Sequence, residues 1–301
     1  MASNLGRAVV SELVAAGFNV TALTREGSAA IFPAGVSSKP VDYSSVESLT
    51  AALEGQEALV STIATVAVAG QQPLVDAAVA AGNSESTRGF LGQDPIGTII
   101  QGKVKTLNYI HEKWKQNPSF TWTGISTGLF FDWGLPYGSI GLDKATKTAT
   151  IHDSGNEPYQ ATNLPLIGKA VAAVLKHPEL TTNRYISIAS FNPTQNEILA
   201  LVEKITGEKW TVNKVSTAEQ QQIGIEKLSK GDYSAFSHLL RKRIHEDGAG
   251  LAVQGPDNAI ELLGLEEEDL ERTIRAWLRN NLSIFFRGST GGYNESIFRS
   301  S

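Results

Sequence analysis

The sequence predicts an α/β fold in which a mostly parallel, doubly wound sheet is followed by a smaller C-terminal α/β region. The first two-thirds of the chain alternate short β-branched runs with amphipathic stretches, which is the pattern of βα units. The chain has 301 residues, of which 41% are hydrophobic, so it can bury a substantial core. We assign residues 1–125 to the sheet domain, 126–287 to the second region and 288–301 to a flexible polar tail.

Each element is predicted from a local signal: apolar residues on one helical face, capping residues and glycine stops for helices, and β-branched runs for strands. In the first part, the predicted helices are 5–16, 44–54, 73–81 and 103–114, and the predicted strands are 18–24, 36–41, 58–63 and 120–124. In the second part, the predicted strands are 148–152, 185–188 and 210–215, the helices lie near 167–175, 233–245 and 267–281, and caps are expected at 194–197 and 216–219.

The composition excludes several classes of protein. The net charge is -5 and the charges are interspersed, so no basic face is available for nucleic acid. The chain has no cysteine, which excludes disulfides and thiolate chemistry, and its five histidines are scattered without metal-ligand spacing. No apolar run approaches the ~20 residues of a spanning helix. We therefore expect a cytoplasmic protein that binds neither a membrane nor a metal.

Five short segments occur in a fixed order and carry a family resemblance. They are Asn4-Leu5-Gly6-Arg7 opening the first helix, Thr24-Arg25 and Ser61-Thr62 at strand ends, Lys103-Val104 in a long helix, and the run GISTGLFFDW from Gly124 to Trp133. In this ordered set the chain resembles the NmrA-like, isoflavone reductase-like branch of the atypical short-chain dehydrogenases. The resemblance covers residues 4 to 282.

The resemblance implies a Rossmann-like domain that binds NADPH, a C-terminal substrate region, and reduction of a small aromatic or carbonyl compound by hydride transfer. The family also contains cofactor-sensing regulators that catalyse nothing and act through a protein partner. A third alternative is a degenerate member that binds no cofactor. Because function resides in the site, the fold alone does not choose among them.

The candidate site residues follow from the resemblance and from their positions. Lys103 is expected to hold the nicotinamide ribose and to assist proton transfer. Arg25 follows a strand, where a guanidinium can pair with the 2′-phosphate and so favours NADP over NAD. Phe130 is expected to contact the substrate. The full cofactor-binding set is Asn4, Leu5, Gly6, Thr24, Arg25, Ser61, Thr62, Lys103 and Gly128.

A competing catalytic pair is Tyr109 and Lys113, which lie four residues apart on one helical face, as in other short-chain dehydrogenases. Tyr109 follows Lys103 by six residues, or ~9 Å along a helix at ~1.5 Å per residue. Both therefore cannot serve one nicotinamide. We interpret Tyr109 as a surface or packing residue.

Two pieces of the expected Rossmann-like sheet are missing from the pattern. No strand precedes the first helix, so the glycine-rich loop that binds pyrophosphate is incomplete, and the polar residues 83–89 follow Gly82 where a buried strand is expected. Three explanations remain open: an incomplete reading of the gene, a rearranged sheet, or a decayed cofactor site. We favour the first, in which a full-length transcript carries a glycine-rich segment ahead of Met1.

Overall fold

The computed structural model describes residues 4–63, 70–81 and 95–279, with the side chains of residues 4 and 95–100 excepted. The chain forms two compact units. Unit 1 comprises 1–128, 162–190 and 253–267, and unit 2 comprises 129–161, 191–252 and 268–301. The chain first passes from unit 1 to unit 2 after Gly128, and two later segments return to unit 1.

The elements follow one another in a mixed α/β order. The helices are α1 (Asn4–Ala15), α2 (Val46–Leu53), α3 (Gln72–Ala80), α4 (Pro95–Gln116), α5 (Phe131–Gly134), α6 (Leu164–Lys176), α7 (Gln195–Thr206), α8 (Thr217–Ser229), α9 (Ala235–His245) and α10 (Leu270–Arg279). The strands are β1 (Thr21–Arg25), β2 (Ser37–Val41), β3 (Thr123–Ser126), β4 (Leu129–Phe130), β5 (Leu142–Asp143), β6 (Thr148–His152), β7 (Ala161–Thr162), β8 (Arg184–Ser187) and β9 (Thr211–Val215).

Unit 1 contains two parallel strand pairs with helices packed around them. β1 pairs with β2, and β3 pairs with β8. The apolar faces of α2, α3 and α4 share one buried cluster that includes Leu49, Leu74 and Ile110. In a second cluster, Val9 and Leu13 of α1 are buried with Val171 and Ala172 of α6. Parallel strands covered by helices are the arrangement expected of a doubly wound fold.

Helix α1 and helix α6 approach each other unusually closely at Gly168. A Cβ atom at Gly168 would lie 2.6 Å from the Cγ atom of Glu12 and 2.8 Å from the carbonyl oxygen of Ala8. Only glycine fits at this distance, because the second of these atoms belongs to the backbone and cannot rotate away.

The predicted strand 58–63 is wrong as a strand. Only Ala58 forms a bridge, and residues 59–63 belong to no strand of the described part of the chain. A ladder requires a hydrogen-bonding neighbour. In a doubly wound sheet the neighbours of this segment are the two strands that the sequence pattern lacks.

Other boundaries also differ from prediction, as three elements of unit 1 illustrate. β1 begins at Thr21 rather than at residue 18, and β3 begins at Thr123 rather than at residue 120, because Phe120 and Trp122 enter the core ahead of the strand. α4 begins at Pro95, a residue suited to a first helical turn, so Lys103 lies inside the helix rather than at its opening.

Two predictions lie outside the described residues. They are the missing strand after Gly82, within 82–94, and the tail 288–301. In the part that is described, no strand precedes β1, and no helix has the length and apolarity to cross a membrane.

Unit 2 is built on a three-stranded sheet, in which β5 is antiparallel to β6 and β6 is parallel to β9. Its core includes Phe131, Tyr159 and Trp277. The predicted capping box of α7 is confirmed, since Thr194 Oγ1 accepts from the Glu197 N–H at 3.1 Å and the Glu197 carboxylate accepts from the Thr194 N–H at 2.8 Å.

Candidate functional site

The carboxyl end of β1 carries two predicted cofactor residues. Thr24 is half-buried and Arg25 is exposed. The Tyr43 hydroxyl donates to the carbonyl oxygen of Leu23 at 2.9 Å, which holds its ring beside this strand end. Burial raises the pKa of Tyr43, and the positive charge of Arg25 acts in the opposite direction. Arg25 therefore combines a fixed backbone position with a guanidinium that reaches solvent.

Ser61 and Thr62 lie in a segment that forms no strand, and both are half-buried. The Ser61 hydroxyl donates to Oε1 of Gln71 at 2.5 Å. Gln71 stands directly before α3 and is 5% exposed. The hydroxyl is thus held by a buried amide that is ten positions further along the chain.

At the start of α1, side chains and backbone groups have different functions. The side chain of Leu5 packs against the Val9 and Leu13 cluster, so it serves the core. Gly6 is half-buried inside the helix. The first N–H groups of any helix have no intrahelical acceptor, which is why the start of a helix is suited to an anion.

A cavity of about 380 Å³ lies beside α1 in unit 1. Arg7 and Val10 line it from the helix, and Ile31, Phe32 and Pro33 line it from the segment between β1 and β2. Ile31 is 89% exposed, although it is a large apolar residue. The lining can therefore contact an apolar, flat group, while the guanidinium of Arg7 supplies a positive charge.

Lys103 is half-buried in α4, and burial lowers its pKa below the ordinary lysine value. Within the described ranges it forms no hydrogen bond or ion pair with another residue. Its neighbour Lys105 is exposed. An amine whose pKa lies closer to neutrality is a better proton donor than a solvated lysine.

Tyr109 and Lys113 make a contact between α3 and α4. The Tyr109 hydroxyl donates to Asp76 Oδ1 at 2.7 Å, and Lys113 Nζ lies 2.6 Å from the same oxygen. The ammonium of Lys113 also lies 5.0 Å from the centre of the Tyr109 ring. Because Asp76 engages both groups, the pair ties two helices together.

The chain matches the family model described as "NmrA-like family" over residues 2–241. It belongs to the NmrA-like family. Two curated fungal relatives are similar over nearly their whole length. "Oxidoreductase poxI" of Penicillium oxalicum is 30% identical over 282 residues, covering 90% of each chain. "Oxidoreductase aprR" of Aspergillus flavus is 31% identical over 288 residues, covering 92% of this chain and 96% of the relative.

Solved structures confirm the Rossmann-like α/β fold of this NmrA-like chain. A leucoanthocyanidin reductase from Vitis vinifera in complex with NADPH has a TM-score of 0.75 at 16% identity, covering 92% of this chain and 97% of its own. An isoflavone reductase has a TM-score of 0.71 at 18% identity, and the match covers 91% of this chain and 96% of the reductase. At such identities the likeness establishes the fold.

The predicted site residues of the NmrA-like chain divide between its two units. All of them except Phe130 belong to unit 1. Gly128, the last residue of the first segment, has a φ of +57°, a conformation that favours glycine. Phe130 belongs to unit 2, is half-buried and stands directly before α5.

Two features of the site were missed from the sequence. The segment Ile31–Pro33 is an apolar triplet within a stretch of small and polar residues, a signal that could have been noticed. The contact between Gln71 and Ser61 leaves no local signal, because it depends on how the chain folds back. No group of three or more histidine, cysteine, aspartate or glutamate residues suited to a metal occurs in the described ranges.

Proposed function

We propose that this NmrA-like protein is an NADPH-dependent oxidoreductase that reduces a small aromatic or carbonyl compound. The observation that carries the proposal is Lys103, a half-buried lysine whose pKa is lowered by burial and which has no carboxylate partner within the described residues. A lysine with a structural role is normally paired with a carboxylate or solvated, and an unpaired, partly buried lysine is characteristic of a reactive site. The oxidoreductase names of both fungal relatives support the same activity.

The residues of unit 1 fit a dinucleotide phosphate. The backbone N–H groups at the start of α1 are suited to a pyrophosphate, and the exposed guanidinium of Arg25 to a 2′-phosphate. The cavity lined by Arg7, Val10 and Ile31 to Pro33 has the apolar walls that a flat base requires. The related fold of a reductase solved with NADPH supports this assignment. When bound, the cofactor supplies the hydride.

In this proposal the chain supplies the proton and the geometry. Lys103 Nζ donates a proton to the substrate oxygen as that oxygen gains negative charge, so that a carbonyl becomes an alcohol. Burial lowers the pKa of Lys103, which favours this transfer. Ser61, Thr62 and Gly128 are assigned to hold the nicotinamide end, and Phe130 to contact the substrate.

The proposal is tested by calorimetric titration of the purified chain with NADPH and NADH, followed by turnover on a panel of ketones and enones. We expect saturable binding with a preference for NADPH. Lys103→Ala should lower kcat by about 100-fold or more, the usual contribution of a positioned acid. Lys105→Ala is the matched control, because Lys105 is an exposed lysine of the same helix.

The pH profile gives a second readout. The wild-type rate should fall with rising pH at a pKa below that of an ordinary lysine, and this limb should be absent from Lys103→Ala. A folded protein that binds no NADPH would refute the proposal. Tight NADPH binding without turnover of any compound would favour the non-catalytic regulator instead.

A further inference from the structure

Gln71 is a buried amide for which the proposed reaction has given no role. It is 5% exposed and occupies the position directly before α3. A residue at this position commonly uses its side chain to accept from the first N–H groups of the helix. Gln71 makes no such bond, and its amide oxygen accepts from the Ser61 hydroxyl at 2.5 Å.

This hydrogen bond fixes the polarity of Ser61. A serine hydroxyl has one hydrogen to donate and two lone pairs with which to accept. The hydrogen of Ser61 is directed to Gln71 Oε1, so the remaining capacity of its oxygen is that of an acceptor. Ser61 is half-buried, so its oxygen retains some access from outside. The Ser61 oxygen is therefore suited to a ligand group that donates a hydrogen bond.

We propose that Gln71 is a positioning residue for the cofactor, which acts by holding Ser61 Oγ as an acceptor for a ribose hydroxyl or a carboxamide N–H. The inference rests on the proposed function, because it requires a dinucleotide bound beside Ser61. A serine free to rotate would present its hydrogen or its lone pairs in turn. The amide of Gln71 removes that freedom before the ligand arrives, which is preorganisation.

The same bond is not needed to hold α3 in place. The apolar face of that helix is buried through Leu74, Val75, Ala77 and Ala78, each at most 6% exposed. Leu74 and Val75 belong to the cluster that also contains Leu49 and Ile110. The packing of α3 therefore has a source other than the Ser61 contact, which separates a positioning role from a structural one.

The test is a double-mutant cycle on Ser61→Ala and Gln71→Leu, with Gln71→Glu as the variant that keeps an acceptor oxygen. The matched control is Gln72→Leu, at an exposed glutamine next in the chain. Two quantities are measured for each protein: the Kd for NADPH by calorimetry, and the free energy of unfolding in urea. Coupling between the two substitutions in the Kd for NADPH indicates that Gln71 positions Ser61 for the cofactor. Coupling confined to the free energy of unfolding indicates a structural role.

We expect Ser61→Ala and Gln71→Leu each to raise the Kd by about tenfold, the effect of one hydrogen bond. The double variant should be no weaker than Ser61→Ala alone, and Gln71→Glu should stay close to wild type. If Gln71→Leu fails to fold, the test is the comparison of Gln71→Glu with Gln71→Asn. The shorter asparagine side chain cannot reach Ser61, so Gln71→Asn should bind NADPH more weakly than Gln71→Glu.

Three results would overturn the inference. An unchanged Kd in folded Gln71→Leu would show that Gln71 has no part in binding. Additive losses in the double variant would show that it acts other than through Ser61. Absence of NADPH binding by the wild type would remove the proposed function together with the inference, whereas the first two results leave the proposed function standing.

Discussion

The two units of the protein use their polar side chains differently. In unit 2, the charged groups of Glu157 and Lys144 are committed to the fold: the Glu157 carboxylate accepts from the N–H groups of Gly248 and Gly250, and Lys144 Nζ donates to the carbonyl oxygen of Trp277 near the end of α10. In unit 1, Arg25 reaches solvent and Lys103 is half-buried without a partner among the described residues. Uncommitted polar groups on a packed scaffold are characteristic of a ligand site.

Unit 2 also contains two buried histidines whose rings are in contact. His152 and His245 of unit 2 are 2% and 3% exposed, and their rings stack with centroids 5.1 Å apart. The Tyr159 ring lies 5.0 Å from that of His245. The Nδ1 atoms of both histidines have no hydrogen-bond partner within the described ranges. Burial therefore favours the neutral form of both rings.

The largest expected effect comes from acidifying this pair. Burial, followed by the charges of His152 and Arg241, lowers the pKa of His245 to about 3, and burial lowers the pKa of His152 as well. The unfolded chain takes up these protons near pH 6.5, so the stability that the neutral rings provide is complete above that value and is lost as the pH falls towards 3.

We expect His245 to account for about 3 kcal/mol of unfolding free energy between pH 7.5 and pH 4. The measurement is urea unfolding across this range for the wild type and for His245→Phe, which keeps a ring and removes the titration. The variant should have the flatter profile. Equal pH slopes for the two proteins would contradict the assignment.

An intermediate effect is expected at Arg25, and it should appear in binding rather than in stability. Arg25→Ala should raise the Kd for NADPH by roughly 30-fold, because charge-assisted hydrogen bonds contribute about 1.5 to 3 kcal/mol. The Kd for NADH and the urea midpoint should stay unchanged. Arg184→Ala, at another exposed arginine of unit 1, is the control. An equal loss for both cofactors would mean that Arg25 does not contact a 2′-phosphate.

The smallest effect is expected at Tyr109, which forms with Asp76 and Lys113 a polar cluster of unit 1 that is committed to the fold. Tyr109→Phe removes the hydrogen bond to Asp76 and should lower the unfolding free energy by less than about 1 kcal/mol. The kcat should not change. A drop of about 100-fold would instead identify Tyr109 and Lys113 as the catalytic pair.

The difference between local and non-local interactions explains which elements could be predicted from the sequence. Strand β6 occupies the predicted residues Thr148–His152, and the cap at Thr194 with Glu197 is as expected, because such signals lie within a few residues of one another. The strand predicted at 58–63 did not form, since pairing depends on a neighbour that local patterns do not supply.

The candidate site follows the same rule. The resemblance named Arg25, Ser61 and Lys103 as candidate site residues, and all three lie in unit 1, but it did not indicate that burial lowers the pKa of Lys103. The contact of Gln71 with Ser61 became visible only when distant parts of the chain were brought together, whereas the apolar triplet at Ile31 can be read from the sequence. Their roles in binding stay predictions.

The close packing at Gly168 has a consequence for how this protein is made. Helix α1 is synthesised first among the described elements, yet its partner α6 begins only at Leu164. At a translation rate of about 5 to 20 residues per second, α1 waits for roughly 10 to 30 seconds before that partner leaves the ribosome. During this interval the face that carries Val9 and Leu13 lacks Val171 and Ala172, which are buried with it in the folded protein. The nascent chain therefore has a defined window in which a chaperone can act on its first helix.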